Sequence, residues 1–314
     1  MSRAASMRVL LLTTTCVLFG AQCATDRPAA EPEGPVNAAV AAYPIHENFG
    51  DYWYQGKAEI TSYVLEQPRY GETRAGSSVL IFVTENFSRE KHVKLDRPDA
   101  AGDDGVTVLK LNRTREFTTG IYPYSMMASV FTPISGNQDP RSLKVTVSSQ
   151  EWCGQTFAQL DLEGNRYHVR HHSYFESDSD RTAYLPGAIL EDELWAKIRI
   201  DPSSLPTGVI SIIAGALNQR LSHGEYIVQE AVATLTPANS NETVYTLEYQ
   251  DSGRTLAIRF ETAFPHRIMG WEETQLRDGN PVTTRATRDS SMLIDYWNRN
   301  SLADEALRAE LNLQ

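Results

Sequence analysis

The chain has 314 residues, 41% of them hydrophobic and 22% charged, an ordinary globular composition with enough apolar mass for one large domain or two ordinary ones. Its formal net charge is −11, and Arg3 and Arg8 are the only charged residues ahead of Cys23, so loss of that segment leaves the remainder more acidic still. Nucleic acid and anionic headgroups need clustered Lys and Arg, and this balance argues against either as the main partner.

Arg3 and Arg8 form a positive leader end, followed by an apolar run at 9–21 that is too short for a bilayer, which needs about 20 residues. Residues 1–23 therefore read as a signal peptide and place the folded part outside the cytoplasm. The segment Leu18-Phe19-Gly20-Ala21-Gln22-Cys23 resembles the lipobox of bacterial lipoproteins, which makes Cys23 the candidate lipidation site. Gln22 stands where that motif has a small residue, so cleavage near Ala21 to Ala24 to a soluble product stays open. Residues 24–42 are rich in Pro, Ala and Glu without apolar periodicity and read as an extended tether.

From residue 43 to 314 the pattern is that of a single β-rich domain. Tyr54, Gly56, Ala58, Ile60, Ser62 and Val64 alternate with Gln55, Lys57, Glu59 and Thr61, predicting a strand with the first set facing the core. Val79 to Val83 is apolar on both parities and predicts a central strand covered on both sides. Shorter strands are expected at 93–95 and 106–111. Residues 117–133 hold the densest aromatic and Met content of the chain.

Leu143, Val145 and Val147 lead as a strand into Gln150-Glu151-Trp152-Cys153-Gly154. Glu163-Gly164-Asn165 predicts a hairpin turn, because Gly and Asn tolerate positive φ. Leu190, Leu194 and Ile198 at steps of four predict a short helix over 189–198, closed by Asp201-Pro202. Two further hairpins follow, around Asp251-Ser252-Gly253 and Asp278-Gly279-Asn280. Ser301 with Asp304 is a capping-box pattern opening a C-terminal amphipathic helix. The expected fold is mainly β, a large antiparallel sheet or half-open barrel with one short internal helix and a C-terminal helix.

The segments Trp53-Tyr54-Gln55-Gly56-Lys57-Ala58-Glu59, Thr119-Gly120-Ile121-Tyr122-Pro123-Tyr124-Ser125, Gln150-Glu151-Trp152-Cys153-Gly154 and Leu190-Glu191-Asp192-Glu193-Leu194-Trp195 carry a family resemblance. They are similar to a group of exported bacterial proteins that sometimes bear the label of septum formation inhibitor. The resemblance runs from about Asp51 to Gly208 and implies family membership without a biochemical role. The nucleotide pyrophosphatases of that label open on a strand and a Ser-Pro-Arg-Arg turn, which this chain lacks, so their activity does not carry over.

Three constellations could hold chemistry. Cys153 with His171 or His172 and an acid such as Asp161 or Glu176 would make a nucleophile, base and orienting group, provided they meet. With Leu162 opposite Arg166, Cys153 and His171 lie four residues apart, roughly 13 Å at the usual strand rise, and no dyad forms. Adjacent strand histidines point to opposite faces, so His171 and His172 do not form a metal pair, and no metal or cofactor is expected. The acidic runs at 176–180 and 191–193 read as solvated surface.

The aromatic and Met cluster is core in the simplest reading. In its functional reading Tyr122, Tyr124, Met126, Phe131 and Trp152 hold an apolar ligand, since Met adapts to irregular partners and Tyr joins an apolar ring to a polar handle. Arg69, Arg74 and Arg115 either serve an acidic group of such a ligand or balance nearby Glu. The function expected is a non-enzymatic binding module of the cell envelope, lipid-anchored to a membrane, for a lipid-like or apolar small molecule. A cysteine-dependent hydrolase or transferase on Cys153 and a structural lipoprotein docking another envelope protein are the alternatives.

Overall fold

The computed structural model describes residues 45–134, 140–277 and 279–313. The expected signal peptide, Cys23 and the tether lie outside these residues. What is described is mainly β, as expected, and forms one open sheet rather than a closed barrel.

A short helix α1 (Phe49–Trp53) precedes an antiparallel meander of β1 (Ala58–Arg69), β2 (Glu72–Ser88), β3 (Val93–Lys94), β4 (Gly105–Thr119), β5 (Tyr122–Pro133), β6 (Lys144–Glu151), β7 (Gly154–Glu163), β8 (Arg166–Ser173) and β9 (Arg181–Pro186). The short β3 pairs only with β2. Next come β10 (Ile189–Leu190), helix α2 (Glu191–Ile200), β11 (Gly208–Ile213) and helix α3 (Ala216–Ser222). A second meander follows in β12 (Val228–Pro237), β13 (Glu242–Tyr249), β14 (Thr255–Glu261), β15 (Ile268–Arg277) and β16 (Asn280–Ile294), and helix α4 (Ala306–Glu310) ends the chain.

The two meanders join where β1 pairs with β16, from Ala58 opposite Ile294 to Glu66 opposite Arg285. The free edges are β9 at one side and β10 at the other, and β10 pairs parallel with β11. Only Gly187 and Ala188 separate the two edge strands in the chain.

Helix α2 lies inside the curve of the sheet. All ten of its residues are buried, including Glu191, Asp192, Glu193, Lys197 and Arg199. The helix starts two residues later than its apolar spacing predicts, because Ile189 and Leu190 are taken up by the edge strand. The acidic run at 191–193 is thus core and not solvated surface.

Five buried charges on one helix need partners, since an unpaired ion in the interior costs several kcal/mol. The sheet supplies three of them, and the other two pair with each other within the helix. Arg199 pairs with Glu59 of β1, Asp192 with Arg113 of β4 at 3.2 Å, and Glu193 with Lys197 at 2.6 Å. Glu191 accepts from Arg254 at 2.9 Å; Arg254 also donates to Glu273 of β15, which accepts from Arg115 of β4 in turn. Arg113 stacks on Trp195, and Arg199 lies between the rings of Trp53 and Phe82.

This polar interior reverses the expected face of β1. Glu59, Thr61, Tyr63, Leu65, Gln67 and Arg69 point inward, while Ala58 and Ile60 face out and are covered, with Val83, by Leu311 of the C-terminal segment. Tyr54 and Gly56 precede the strand altogether, in the turn after α1. The capping box of Ser301 and Asp304 is formed as expected, with Leu302 of that turn exposed and Leu311 the residue that anchors it.

Candidate functional site

One end of the sheet is formed by the turns joining β1 to β2 at Tyr70-Gly71, β4 to β5 at Gly120-Ile121, and β6 to β7 at Trp152-Cys153. Tyr70, Ile121, Trp152, Tyr174 and Leu276 are exposed large apolar residues at this end, with Ile121 83% and Trp152 69% accessible. Helix α3 lies across the opening, with Ala216 to Leu221 buried. Its last residue, Ser222, gives way to His223 in the left-handed region at φ 55°, where glycine is the usual choice.

Between the β1–β2 turn, the end of α3 and β15 is an open cleft of about 580 Å³ lined by Arg69, Tyr70, Leu221, Ser222, His223, Gln275 and Arg277. Arg69 of its wall is backed by the buried Tyr124. Arg69 Nη1 donates to the carbonyl of Leu221 at 2.8 Å, a cation on the negative end of α3. Its guanidinium carbon sits 4.8 Å from the centre of the Tyr70 ring and 5.5 Å from that of Tyr124. The Tyr70 and Tyr124 hydroxyls are 2.9 Å apart. Burial pushes the Tyr124 phenol up, whereas the hydrogen bond with Tyr124 lowers that of Tyr70. Behind them Phe117 and Tyr124 stack at 4.7 Å.

The sequence-predicted cluster is only partly brought together here. Tyr122, Tyr124 and Trp152 are neighbours, with the Tyr122 and Trp152 rings 6.4 Å apart and nearly parallel. Met126 is on the same inward face of β5, but at 2% accessibility it is core beneath Tyr124 and is not a wall of the cleft. Phe131 has the opposite parity. It stacks against Phe87 at 4.7 Å outside the sheet, in a separate cluster with Val106, Val108 and Leu143, so it belongs to no shared cavity with Tyr124.

Cys153 occupies a tight turn and not a strand, because Glu151 pairs with Gly154. It is exposed. A hydrogen bond with Glu151 pushes its thiol pKa up, the reverse of what a nucleophile needs. The β7–β8 hairpin has a turn one residue shorter than expected, with Glu163 opposite Arg166, so Ala158 is the residue opposite His171. Cys153 is then five positions from His171 along the ladder, roughly 17 Å at the usual rise. Nor do Cys153 and His172 meet: His172 is exposed and pairs with Asp180 at 3.4 Å. Gly154 is required beside the cysteine, since a Cβ there would lie 2.5 Å from the Tyr174 ring.

Residues that the sequence did not single out stand next to the cleft. His223 Nδ1 is 2.8 Å from the buried carboxylate of Asp178, which also accepts from Ser173 Oγ at 3.4 Å, so the acidic run at 176–180 is not all solvated. Arg220 is buried between Phe175 and Glu151. Together with His171, Thr156 and Tyr226 these groups surround a void of about 10 Å³, the space of one water molecule. Burial pushes His171 toward its neutral form. Only the left-handed placement of His223 marks this corner, and that is not visible in a residue pattern. Among the described residues no group of three His, Cys, Asp or Glu is arranged to hold a metal ion.

Comparison with known proteins adds no relative: neither a protein-family model nor a curated protein matches the chain.

Proposed function

We propose that the chain is a non-enzymatic binding module of the cell envelope, exported and lipid-anchored through Cys23, that takes a lipid-like or apolar small molecule at the turn end of its sheet. The observation that carries this reading is the open cleft of about 580 Å³ walled by Tyr70, Arg69 and Leu221, whose volume falls in the range of roughly 300–1,000 Å³ typical of ligand sites. Its rim is amphipathic, with the exposed Tyr70 and Leu276 beside it and the paired rings of Tyr122 and Trp152 further along. The placement differs from the expected one. The interior behind Tyr124 and Met126 is filled by α2 and its ion pairs, so the ligand sits at the mouth.

Mass spectrometry of the purified chain, first native and then denaturing, tests the reading. The expected result is a lipid-sized adduct that leaves on unfolding and is lost in the variant Tyr70→Asp. A bare protein mass after incubation with an envelope lipid extract would overturn it. The cysteine-dependent enzyme finds no supporting geometry at Cys153.

A further inference from the structure

The lining of the cleft departs from the charge of the protein that carries it. The chain has a formal net charge of −11, yet Arg69, Arg277 and His223 line the cleft and no Asp or Glu does. The side chain of Arg277 has no hydrogen bond or ion pair among the described residues, its backbone being paired with Asn280. It stands at the end of β15, two positions beyond Gln275 on the same inward face.

Arg69 is 7% accessible, and its partners are the Leu221 carbonyl, the Tyr124 hydroxyl and two tyrosine rings, none of them a carboxylate. Its buried Nε has no partner. Glu72, opposite Arg69 in the β1–β2 hairpin, pairs instead with Arg74, and Glu151 pairs with Arg220 at 3.4 Å. By contrast, every Arg and Lys on or around α2 is matched to a carboxylate of the core. A desolvated guanidinium without its counter-charge is costly, and a planar fork is the group best suited to carboxylate and phosphate oxygens.

We propose that the cleft recognises the oxyanion head, carboxylate or phosphate, of an amphiphilic ligand, with the guanidiniums of Arg277 and Arg69 as its partners and Tyr70 and Leu221 against the adjoining apolar part. This rests on the reading of the cleft as a lipid-like binding site and names the head group that site selects. The acidity of the chain as a whole disfavours an extended anionic surface, and the cleft is a local exception.

The test is calorimetric titration of the purified full chain with four dodecyl compounds kept below their micelle thresholds: the carboxylate, the phosphate monoester, the alcohol and the trimethylammonium. Inorganic phosphate is the fifth probe. The two anions are expected to bind at least about tenfold more tightly than the alcohol, and the cation not to bind. Arg277→Gln, a half-buried residue whose loss leaves the core ion pairs intact, should bring the anions to the level of the alcohol without changing the alcohol itself.

Equal binding of anions and alcohol by the native chain would overturn the head-group assignment while leaving the binding reading in place. Phosphate alone binding as tightly as dodecyl phosphate, and losing that binding in Arg277→Gln, would support the oxyanion site but overturn the lipid-like reading. No binding by any of the five would overturn both.

Discussion

Arg199 of the enclosed helix α2 donates from both terminal nitrogens to the Glu59 carboxylate of β1, at 2.5 and 2.7 Å, while its Nε donates to the carbonyl of Pro265. One side chain thereby ties the helix to the first strand and to the loop before β15. Burial alone would raise the Glu59 carboxyl, and Arg199 together with Tyr52 and Arg267 more than offsets it, leaving the pKa lowered. Glu59→Ala would strand the guanidinium between Trp53 and Phe82, and a loss of about 3–5 kcal/mol is expected in urea denaturation. The double variant Glu59→Met with Arg199→Met removes both charges and should recover much of that loss. Equal destabilisation by single and double variants would show that the contact is not what holds the helix.

Asp192 and Arg113 are both pushed toward neutrality by burial, Asp192 up to about 6. A carboxyl whose folded pKa exceeds its unfolded value binds its proton more readily in the native state, so its contribution to stability falls as pH rises from about 4 to about 6. Glu273 has the opposite sign. Burial raises it, but Arg254 and Arg115 prevail and hold it at about 2, so its stabilisation is complete above the unfolded value and is lost as pH falls toward 2. Denaturation midpoints of the native chain and Asp192→Asn between pH 4 and 7 should therefore diverge. The variant lacks a decline whose full size is on the order of 3 kcal/mol for two units. Parallel curves would count against the raised carboxyl.

Cys153 combines exposure with a raised thiol pKa, which points to a thiol that is accessible but not activated. A chromogenic disulfide reagent should label it stoichiometrically in the folded protein at pH 7, more slowly than a small free thiol, and Glu151→Gln should speed the reaction. Labelling faster than a free thiol would revive a nucleophilic role.

Gly76 on β2 faces the backbone of β4 so closely that a Cβ would fall 2.2 Å from the Glu116 carbonyl oxygen. Gly76→Ala is expected to cost roughly 1–3 kcal/mol through displaced backbone. Gly71→Ala meets open space and strains only its turn, at φ 80°, for about 1 kcal/mol. Thermal midpoints of the two variants should rank accordingly.

Most strands, the hairpin around Asp251-Ser252-Gly253 and the helix ending at Asp201 were legible in the sequence because period, turn residues and caps are local signals, whereas β9 and α3 were not expected. The facing of β1 was not. Alternation tells which residues share a side, and assigning the apolar side to the interior presumes an apolar interior. Here Glu59, Gln67 and Arg69 point inward to meet α2 and its surroundings, and Ile60 points outward under Leu311. The same presumption made Glu191 and Asp192 look solvated. For the site, Tyr122, Tyr124 and Trp152 were found by their density, whereas Arg277 and His223 come from distant strands and turns that only the β1–β16 pairing and the placement of α3 bring to one cleft.

That pairing also imposes an order on how the molecule can be made. The partner of the first strand is the last one, so when α2 leaves a ribosome the walls holding Glu273 and Arg254 have not yet been synthesised. Until Arg254 is made, Glu191 lacks its partner, although Glu59, Arg113 and the pair of Glu193 with Lys197 already serve the other charges of the helix. Closure of the β1–β16 pair is therefore a late contact that spans almost the entire folded chain, and rate rather than final stability is where a defect in β16 should first be felt.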